Sequence, residues 1–110
     1  MKHYFIAEMK VTDRAWIESY VREVTPMVER YGGRYLARTG RVEKVEGQRE
    51  PLGIALLIEW PSREAAMAFY ESDEYRPYRE ARLAGSLNEF ILVPGEDVTG
   101  AARMESFSGD

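Results

Sequence analysis

Residues 31–40, with the sequence YGGRYLARTG, join the pattern of an amphipathic helix to the pattern of a short strand. Glycine adopts the left-handed backbone conformation that ends many helices, so Gly32 and Gly33 predict a helix stop followed by a turn. Arg38 then falls on a strand whose other residues are suited to burial. An arginine in that place is either part of a surface ion pair or a group that binds an anion in a pocket.

The sequence before this stretch predicts a strand followed by a helix. Residues 4–11 have the strand pattern, and Thr12 and Asp13 are residue types that commonly cap helix N-termini. Pro26 has no backbone donor, so we expect a kink or short break near Thr25 within a continuing helix. Apolar residues recur at the spacings of three and four that mark one helix face: Trp16, Ile17, Tyr20, Val21, Val24, Met27, Val28 and Tyr31.

Two strands are predicted after the double glycine. The first covers residues 34–46, with a bulge or bend at Thr39-Gly40, where glycine interrupts the strand pattern. The second covers residues 52–60, the most apolar run of the chain, and is predicted to be a central strand. Alternate residues of this strand are apolar in both phases, so both faces of the sheet are predicted to be partly apolar.

The rest of the sequence predicts two helices and a last strand. Ser62 can cap a helix that runs to Glu71, and Ser72-Asp73 can cap a short helix that ends at Ala84-Gly85. Residues 87–93 have the last strand pattern. The order βαββαβ predicts an α+β, ferredoxin-like sandwich with a four-stranded antiparallel sheet and helices on one face. Because the other sheet face stays apolar and uncovered, we expect a homodimer formed through it.

Length and composition limit the possible functions. A chain of 110 residues allows one domain, assigned to residues 1–95, and a polar, flexible tail, assigned to residues 96–110. The net charge of −4 argues against a nucleic-acid partner, which needs a basic surface. The chain has no cysteine and one histidine, His3, which suits a surface or interface position, so we expect no metal, haem or other cofactor. With neither a signal peptide nor an apolar run of about 20 residues, we expect no membrane partner and a cytoplasmic location.

Several motifs taken together resemble a known family. In order and spacing they are similar to the bacterial domain-of-unknown-function family DUF1330, over residues 2–95. The resemblance implies the dimeric α+β barrel superfamily, whose ferredoxin-like subunits pair through their sheets. That superfamily includes small cofactor-independent oxygenases, polyketide cyclases, isomerases, dehydratases and haem enzymes, so a fold and a dimer are implied but no single reaction. The motifs are Asp13 after the first strand, Tyr31–Arg38, Val45–Gly47, Ile58–Ser62, and Phe69–Tyr75 followed by Arg79.

Arg38 and Gly40 are the leading site candidates, with Tyr35 beside them. A guanidinium next to a bulged strand can hold a carboxylate or enolate oxygen through two hydrogen bonds. The alternative is that Arg38 is paired with Glu46 or with a helix carboxylate. In a regular strand Leu36 and Arg38 share one side, so Arg38 points between the sheet and the helices if Leu36 does.

A second group of candidates lies further along the chain. Ser72, Tyr75 and Arg79 are spaced so that they can share a helix face and line a pocket mouth near Arg38. The alternative for these three residues is a capping serine with structural or solvated side chains. Glu59 is either a buried base with a raised pKa or a carboxylate that points to solvent at the end of its strand.

The aromatic residues allow two interpretations. Trp16, Tyr20, Tyr31 and Tyr35 either fill an ordinary core or line a cavity whose hydroxyl donors suit an aromatic or polyketide-like ligand. The sequence therefore leaves open whether the protein is an enzyme.

Two functions remain. The first is a small cofactor-independent dimeric enzyme that acts on a small acidic, phenolic or polyketide-like metabolite by proton transfer, cyclisation or oxygenation. In this hypothesis Arg38 stabilises an oxyanion while Tyr75 and Arg79 close the pocket. The alternative is a non-catalytic dimer that binds a small ligand or is associated with stress.

Overall fold

The computed structural model describes residues 1–99, which contain four strands and three helices. The strands form one antiparallel sheet in the order β2-β3-β1-β4, so the predicted ferredoxin-like α+β fold is confirmed. The elements are β1 (His3–Val11), α1 (Ile17–Arg30), β2 (Arg34–Thr39), β3 (Ile54–Trp60), α2 (Arg63–Tyr70), α3 (Arg76–Ala84) and β4 (Ser86–Pro94).

The core lies between the helices and one face of the sheet. Trp60 is fully buried at its centre and stacks on Phe69 of α2, with ring centroids 5.3 Å apart. Alternate residues of the strands point into this layer, as the period of two requires. The remaining core residues are Phe5, Ala7, Leu56 and Ile58 from the sheet, and Val24, Met27, Val28, Ala66 and Tyr75 from the helical layer.

The double glycine ends α1 as predicted. Gly32 has a φ of +93°, and its N–H donates to the carbonyl of Glu29 at 3.0 Å. Gly33 has no positive φ, and its N–H donates to the carbonyl of Val28 at 2.9 Å. Only the first glycine therefore supplies the left-handed conformation.

The start of α1 differs from the prediction. The helix begins at Ile17, and Trp16 occupies the cap position, where its side chain does not cap the helix. Asp13 instead accepts the N–H of Ala15 at 2.9 Å, which fixes a turn before the helix. The helix continues past Pro26 as predicted, and no break interrupts it near Thr25, because α1 is continuous from Ile17 to Arg30.

The second strand is shorter than predicted. It ends at Thr39, and residues 40–53 form an irregular connection instead of continuing the strand to Glu46. Every residue from 41 to 50 is exposed, and most of them are charged, so the segment has no apolar side to place on the core. Gly47 and Gly53 have φ values of +115° and +130°, which a strand does not accommodate.

Of the two caps predicted after β3, the one at Ser62 is found and the one at Ser72-Asp73 is not, because α3 follows Tyr75 without a side-chain cap. The Ser62 hydroxyl accepts the N–H of Ala65 at 3.1 Å and caps α2. The Ser72 hydroxyl accepts the N–H of Tyr75 at 3.2 Å and donates to the carbonyl of Phe69 at 2.8 Å, so it holds the turn between α2 and α3.

Gly85 ends α3, and its carbonyl joins three parts of the fold. It accepts the N–H groups of Thr12 and Asp13 at 2.9 and 3.1 Å, and the indole N–H of Trp16 at 3.2 Å. One oxygen atom therefore fixes the end of α3 against the connection between β1 and α1.

The C-terminal boundary predicts a tolerated truncation. Within residues 1–99 the last strand ends at Pro94, after which the Gly95 N–H donates to the carbonyl of Lys2 at 2.8 Å. The assignment of residues 96–110 to a tail falls mostly outside the described residues, so it stays a prediction. Deleting residues 98–110 should lower the free energy of unfolding by less than about 1 kcal/mol, because little of this segment is apolar. Urea denaturation of both forms measures this, and a larger loss would indicate that Phe107 docks on the domain.

Candidate functional site

A cavity of about 120 Å³ lies between α1 and the side of the sheet formed by β1, β3 and β2. Its walls are mostly apolar, and its polar side chains are those of Tyr20, Tyr35 and Arg38. Val21 and Arg38 are the exposed lining residues, so the mouth lies at their end. A cavity of about 150 Å³ accommodates benzene in another protein, so the space here suits a ligand of one ring.

A bulge brings Arg38 to the cavity. Arg38 pairs with Leu56, and Tyr35 pairs with Ile58, whose side chains are both buried under the helices. In a regular strand two residues three positions apart would lie on opposite faces. The register shifts at Leu36, which adds one residue to β2 and puts Tyr35 and Arg38 on the same side.

The bulge therefore differs in position from the prediction. It lies at Leu36, which is 43% exposed, whereas the chain at Gly40 forms a bend just after the strand. Gly40 follows the end of β2 and does not line the cavity. The predicted location of Arg38 at the sheet–helix layer is found, but the proposed reason, that it shares a side with Leu36, is wrong.

Arg38 has no carboxylate partner among residues 1–99. Its Nη1 donates to the hydroxyl of Thr25 at 2.9 Å, and its guanidinium lies 3.9 Å from the centre of the Tyr35 ring. The alternative pairing with Glu46 or with a helix carboxylate is therefore not found. The stacked guanidinium keeps further N–H donors at the mouth of the cavity.

The two tyrosines of the cavity are hydrogen-bond donors and not bases. Burial raises the pKa of Tyr35 to about 12, although Arg38 acts in the opposite direction. Burial also raises the pKa of Tyr20 well above its usual value. Both hydroxyls therefore stay protonated near neutral pH, and none of the described lining residues is a carboxylate or a histidine.

A buried polar group lies behind the cavity wall. The hydroxyl of Tyr20 is 2.5 Å from that of Tyr75, which is almost completely buried. Arg82, also on the inner side of α3, is fully buried and donates from Nη1 to Asn88 Oδ1 at 2.7 Å. Tyr75 and Arg82 are seven residues apart, a spacing that places both on one helix face. This spacing is the sequence pattern from which Arg82 could have been predicted to lie beside Tyr75. The sequence interpretation did not assign Arg82 to the site.

Two other predicted site residues, Ser72 and Arg79, have structural roles. The Ser72 hydroxyl is used in the turn before α3. Arg79 donates to the carbonyl of Tyr70 and lies 5.1 Å from the centre of its ring. Neither residue lines the cavity, so the predicted pocket mouth of Ser72, Tyr75 and Arg79 beside Arg38 is not formed.

Glu59 lies on the opposite face of the sheet. It accepts a hydrogen bond from Lys2 Nζ at 2.8 Å and lies 3.7 Å from Arg34. The hydrogen bond from Lys2 lowers the pKa of Glu59, so the predicted buried base with a raised pKa is wrong. Of the predicted candidates, the structure brings Arg38 and Tyr35 into one cavity, with Tyr75 one hydrogen bond behind it.

Residues 1–99 contain no group of three or more histidine, aspartate or glutamate side chains arranged to bind a metal ion. The His3 ring nitrogen Nδ1 lies 3.2 Å from the carbonyl of Met1. Within the same residues, no helix has the length and apolar character needed to cross a membrane. The expectation that the protein needs no cofactor stays a prediction.

Comparison with known proteins gives one family and several similar folds. The model of the family described as "Domain of unknown function (DUF1330)" matches residues 2–96. A solved protein of unknown function from Rhodopseudomonas palustris has 18% identity and a TM-score of 0.71, over 87% of this chain and 84% of that one. SnoaB, a cofactor-independent oxygenase from Streptomyces nogalater, has 18% identity and a TM-score of 0.60, over 89% and 96%. An antibiotic biosynthesis monooxygenase has 16% identity and a TM-score of 0.56, over 88% and 100%.

These structural likenesses show the fold alone, because proteins of one fold carry out many reactions. No curated protein matches the sequence.

Proposed function

Because the chain belongs to the DUF1330 family, whose description assigns no reaction, we propose its function from the cavity. We propose a small cofactor-independent enzyme, active as a homodimer, that binds a small acidic, phenolic or polyketide-like metabolite beside Arg38. The fold that the chain shares with SnoaB, a cofactor-independent oxygenase, supports a small enzyme of this kind. The cytoplasmic location predicted from the sequence stays a prediction.

The observation that carries the proposal is the charge of the cavity. Arg38 places a positive charge at the mouth of an otherwise apolar space, without a carboxylate partner among the described residues. Tyr20 and Tyr35, whose hydroxyls stay protonated, line the same cavity. A planar anion gains a bidentate partner at the mouth and apolar contacts inside, so the cavity favours an aromatic or enolic acid over a neutral or cationic ligand.

The same side chains favour one kind of chemistry. Donors and a positive charge stabilise a developing oxyanion, and their effect is strongest where water is excluded. Since no described lining residue is a base near neutral pH, proton abstraction by the protein is the least favoured of the three predicted reaction types. Cyclisation or oxygenation of a ligand that is itself acidic, and ionises without a protein base, fits the cavity better.

Replacing Arg38 with leucine tests the anion site. Salicylate affinity should fall at least about tenfold, because a hydrogen bond to a charged group contributes about 1.5–3 kcal/mol. Stability should change by less than about 1 kcal/mol, since Arg38 is exposed and loses one hydrogen bond to Thr25. Titration calorimetry with salicylate and with the uncharged analogue salicylamide measures the first effect, and urea denaturation measures the second.

Arg41→Leu is the matched control, because Arg41 is an exposed arginine just after β2 that does not line the cavity. It should bind salicylate as the unmodified protein does. The site assignment is wrong if Arg38→Leu loses several kcal/mol of stability and keeps its salicylate affinity. Binding of ligands without turnover of any would favour the non-catalytic alternative.

The proposed homodimer uses the uncovered face of the sheet. Leu57, Ile6 and Ile91 pair across β3, β1 and β4, and form a row of large apolar side chains on this face. Ile6 and Ile91 are 39% and 57% exposed in the single subunit. A contiguous apolar row of this kind is typical of a surface that another protein covers.

Charged pairs border this apolar row on both sides, two residues away along the strands. Glu59 pairs with Lys2 on one side, and Glu8 pairs with Arg49 on the other, at 2.8 and 2.6 Å. The Arg49 guanidinium and the N–H of Leu52 both lower the pKa of Glu8 by hydrogen bonding. An apolar centre with a polar rim is the usual arrangement of a protein interface.

A further inference from the structure

Arg82 is a fully buried cation whose donors are only partly used. Its Nη1 donates to Asn88, but Nε and Nη2 have no hydrogen-bond partner among the described residues. The guanidinium lies 4.4 Å from the centre of the Phe90 ring, and no described carboxylate pairs with it. A buried guanidinium without an anion is costly, so its retention in the core points to a use for its charge.

Besides Asn88, two tyrosine hydroxyls act on the charge of Arg82. Burial alone would lower the pKa of Arg82, but the neighbouring Tyr75 and Tyr20 hydroxyls hold it above its usual value. These hydroxyls lie 2.5 Å from each other. Arg82 and Tyr75 are both almost completely buried, whereas Tyr20 is half-buried and lines the cavity. The three side chains therefore lead from the core to the cavity wall.

We propose that the Tyr75 and Tyr20 hydroxyls form a chain of donors, oriented by the buried charge of Arg82, that ends at the inner wall of the cavity and binds a phenolate or enolate oxygen of the ligand. The positive charge repels the hydroxyl hydrogens, so the Tyr75 O–H points towards Tyr20 and the Tyr20 O–H points into the cavity. Tyr20 contacts the ligand, whereas Arg82 and Tyr75 are positioning residues that strengthen its donor. This proposal rests on the proposed function of the cavity.

The chain of donors narrows the class of ligand. Arg38 offers a charged donor at the mouth, and Tyr20 offers a strengthened neutral donor inside. A ligand that satisfies both carries an acidic group and a separate ionisable hydroxyl on one small ring or enol. Hydroxy-aromatic acids and enolised keto acids have this chemistry.

The experiment compares the ionised and neutral forms of 4-nitrophenol, which differ in absorption. Bound to the full-length protein, the probe should have a pKa at least about one unit lower than in solution, because a tenfold preference for the phenolate equals one unit. The pKa of the bound probe is measured in the unmodified protein and in Arg38→Leu. The comparison separates the effect of the Arg38 charge at the mouth on this pKa from the effect of the inner donor.

Tyr75→Phe breaks the chain without changing the lining of the cavity. Phenolate affinity should fall about tenfold, as expected for loss of a strengthened hydrogen bond, while affinity for the neutral phenol stays within about twofold. If Tyr75 has only a structural role, the substitution should lower the affinity for the phenolate and for the neutral phenol equally. Tyr31→Phe is the matched control, because Tyr31 packs on Phe69 and does not line the cavity. It should behave as the unmodified protein.

Two results would overturn the proposal. One is a bound probe whose pKa equals or exceeds its value in solution, and the other is an unchanged phenolate preference in Tyr75→Phe. If Tyr75→Phe does not fold, Tyr20→Phe removes the last donor at a half-buried residue and is judged by the same criterion. Each of these results leaves the cavity as a ligand site, whereas failure of the unmodified protein to bind either 4-nitrophenol or salicylate contradicts the proposed function itself.

Discussion

Replacement of Ile6 with lysine is expected to convert the proposed homodimer to a folded monomer. Ile6 lies at the centre of the apolar row, between Leu57 and Ile91, and is 39% exposed in the single subunit. In an isolated subunit the lysine ammonium reaches water along its flexible chain. In a dimer paired through the sheets, symmetry buries one unpaired charge from each copy. Each costs about 3–5 kcal/mol, which raises the dissociation constant by at least about a hundredfold.

Sedimentation equilibrium at micromolar concentration measures this change. Leu83→Lys is the matched control, because Leu83 is 50% exposed on α3, in the layer on the other side of the sheet. This control should remain a dimer. An unmodified protein that sediments as a monomer, or an Ile6→Lys variant that stays dimeric, would rule out pairing through this face.

Gly33→Ala is expected to lower the free energy of unfolding by about 3 kcal/mol, at the upper end of the usual cost of overpacking. An added Cβ would lie 2.7 Å from Val28 Cγ1 and 2.8 Å from Trp60 Cζ3. Both neighbours are completely buried, so neither can move without disturbing the core. Conformational strain is not the cause, because Gly33 has no positive φ.

Urea denaturation of the variant and of Gly40→Ala provides the measurement. Gly40 lies seven residues further along, and an added Cβ there would meet no atom closer than 4.0 Å. We expect this control to change stability by no more than about 0.5 kcal/mol. Equal losses of unfolding free energy in the two variants would contradict this explanation. They would show that the backbone freedom of glycine, and not the lack of space beside Trp60, determines the loss of stability.

The double glycine shows which features of the fold can be predicted from local sequence and which cannot. It correctly predicted the end of α1, because the conformation of Gly32 depends only on its own backbone. The local pattern assigned Gly33 to the turn as well. The structure shows a different reason for this glycine, because the Trp60 ring leaves no space for a side chain there. Contacts between distant parts of a chain leave no local pattern, so this requirement could not be predicted.

In the candidate site, too, residue types could be predicted from the sequence, but contacts between distant residues could not. The sequence identified Arg38 and Tyr35 as candidates, but the bulge at Leu36 that puts them together depends on the register with β3. The short contact between Tyr20 and Tyr75 joins residues 55 positions apart, so it could not be predicted either. The predicted pocket role of Arg79 failed because helical spacing gives a shared face and does not tell which face meets the sheet.

The carbonyl of Gly85 restricts how the cavity can be redesigned. It holds the indole of Trp16, a wall of the cavity, and ends the helix that carries Arg82. A substitution that shifts this helix therefore moves the wall and the buried cation together. Libraries aimed at larger ligands should start at Val21, which is exposed at the mouth and whose apolar side chain makes no hydrogen bond. Size selectivity could then be altered while the proposed inner donors stay in place.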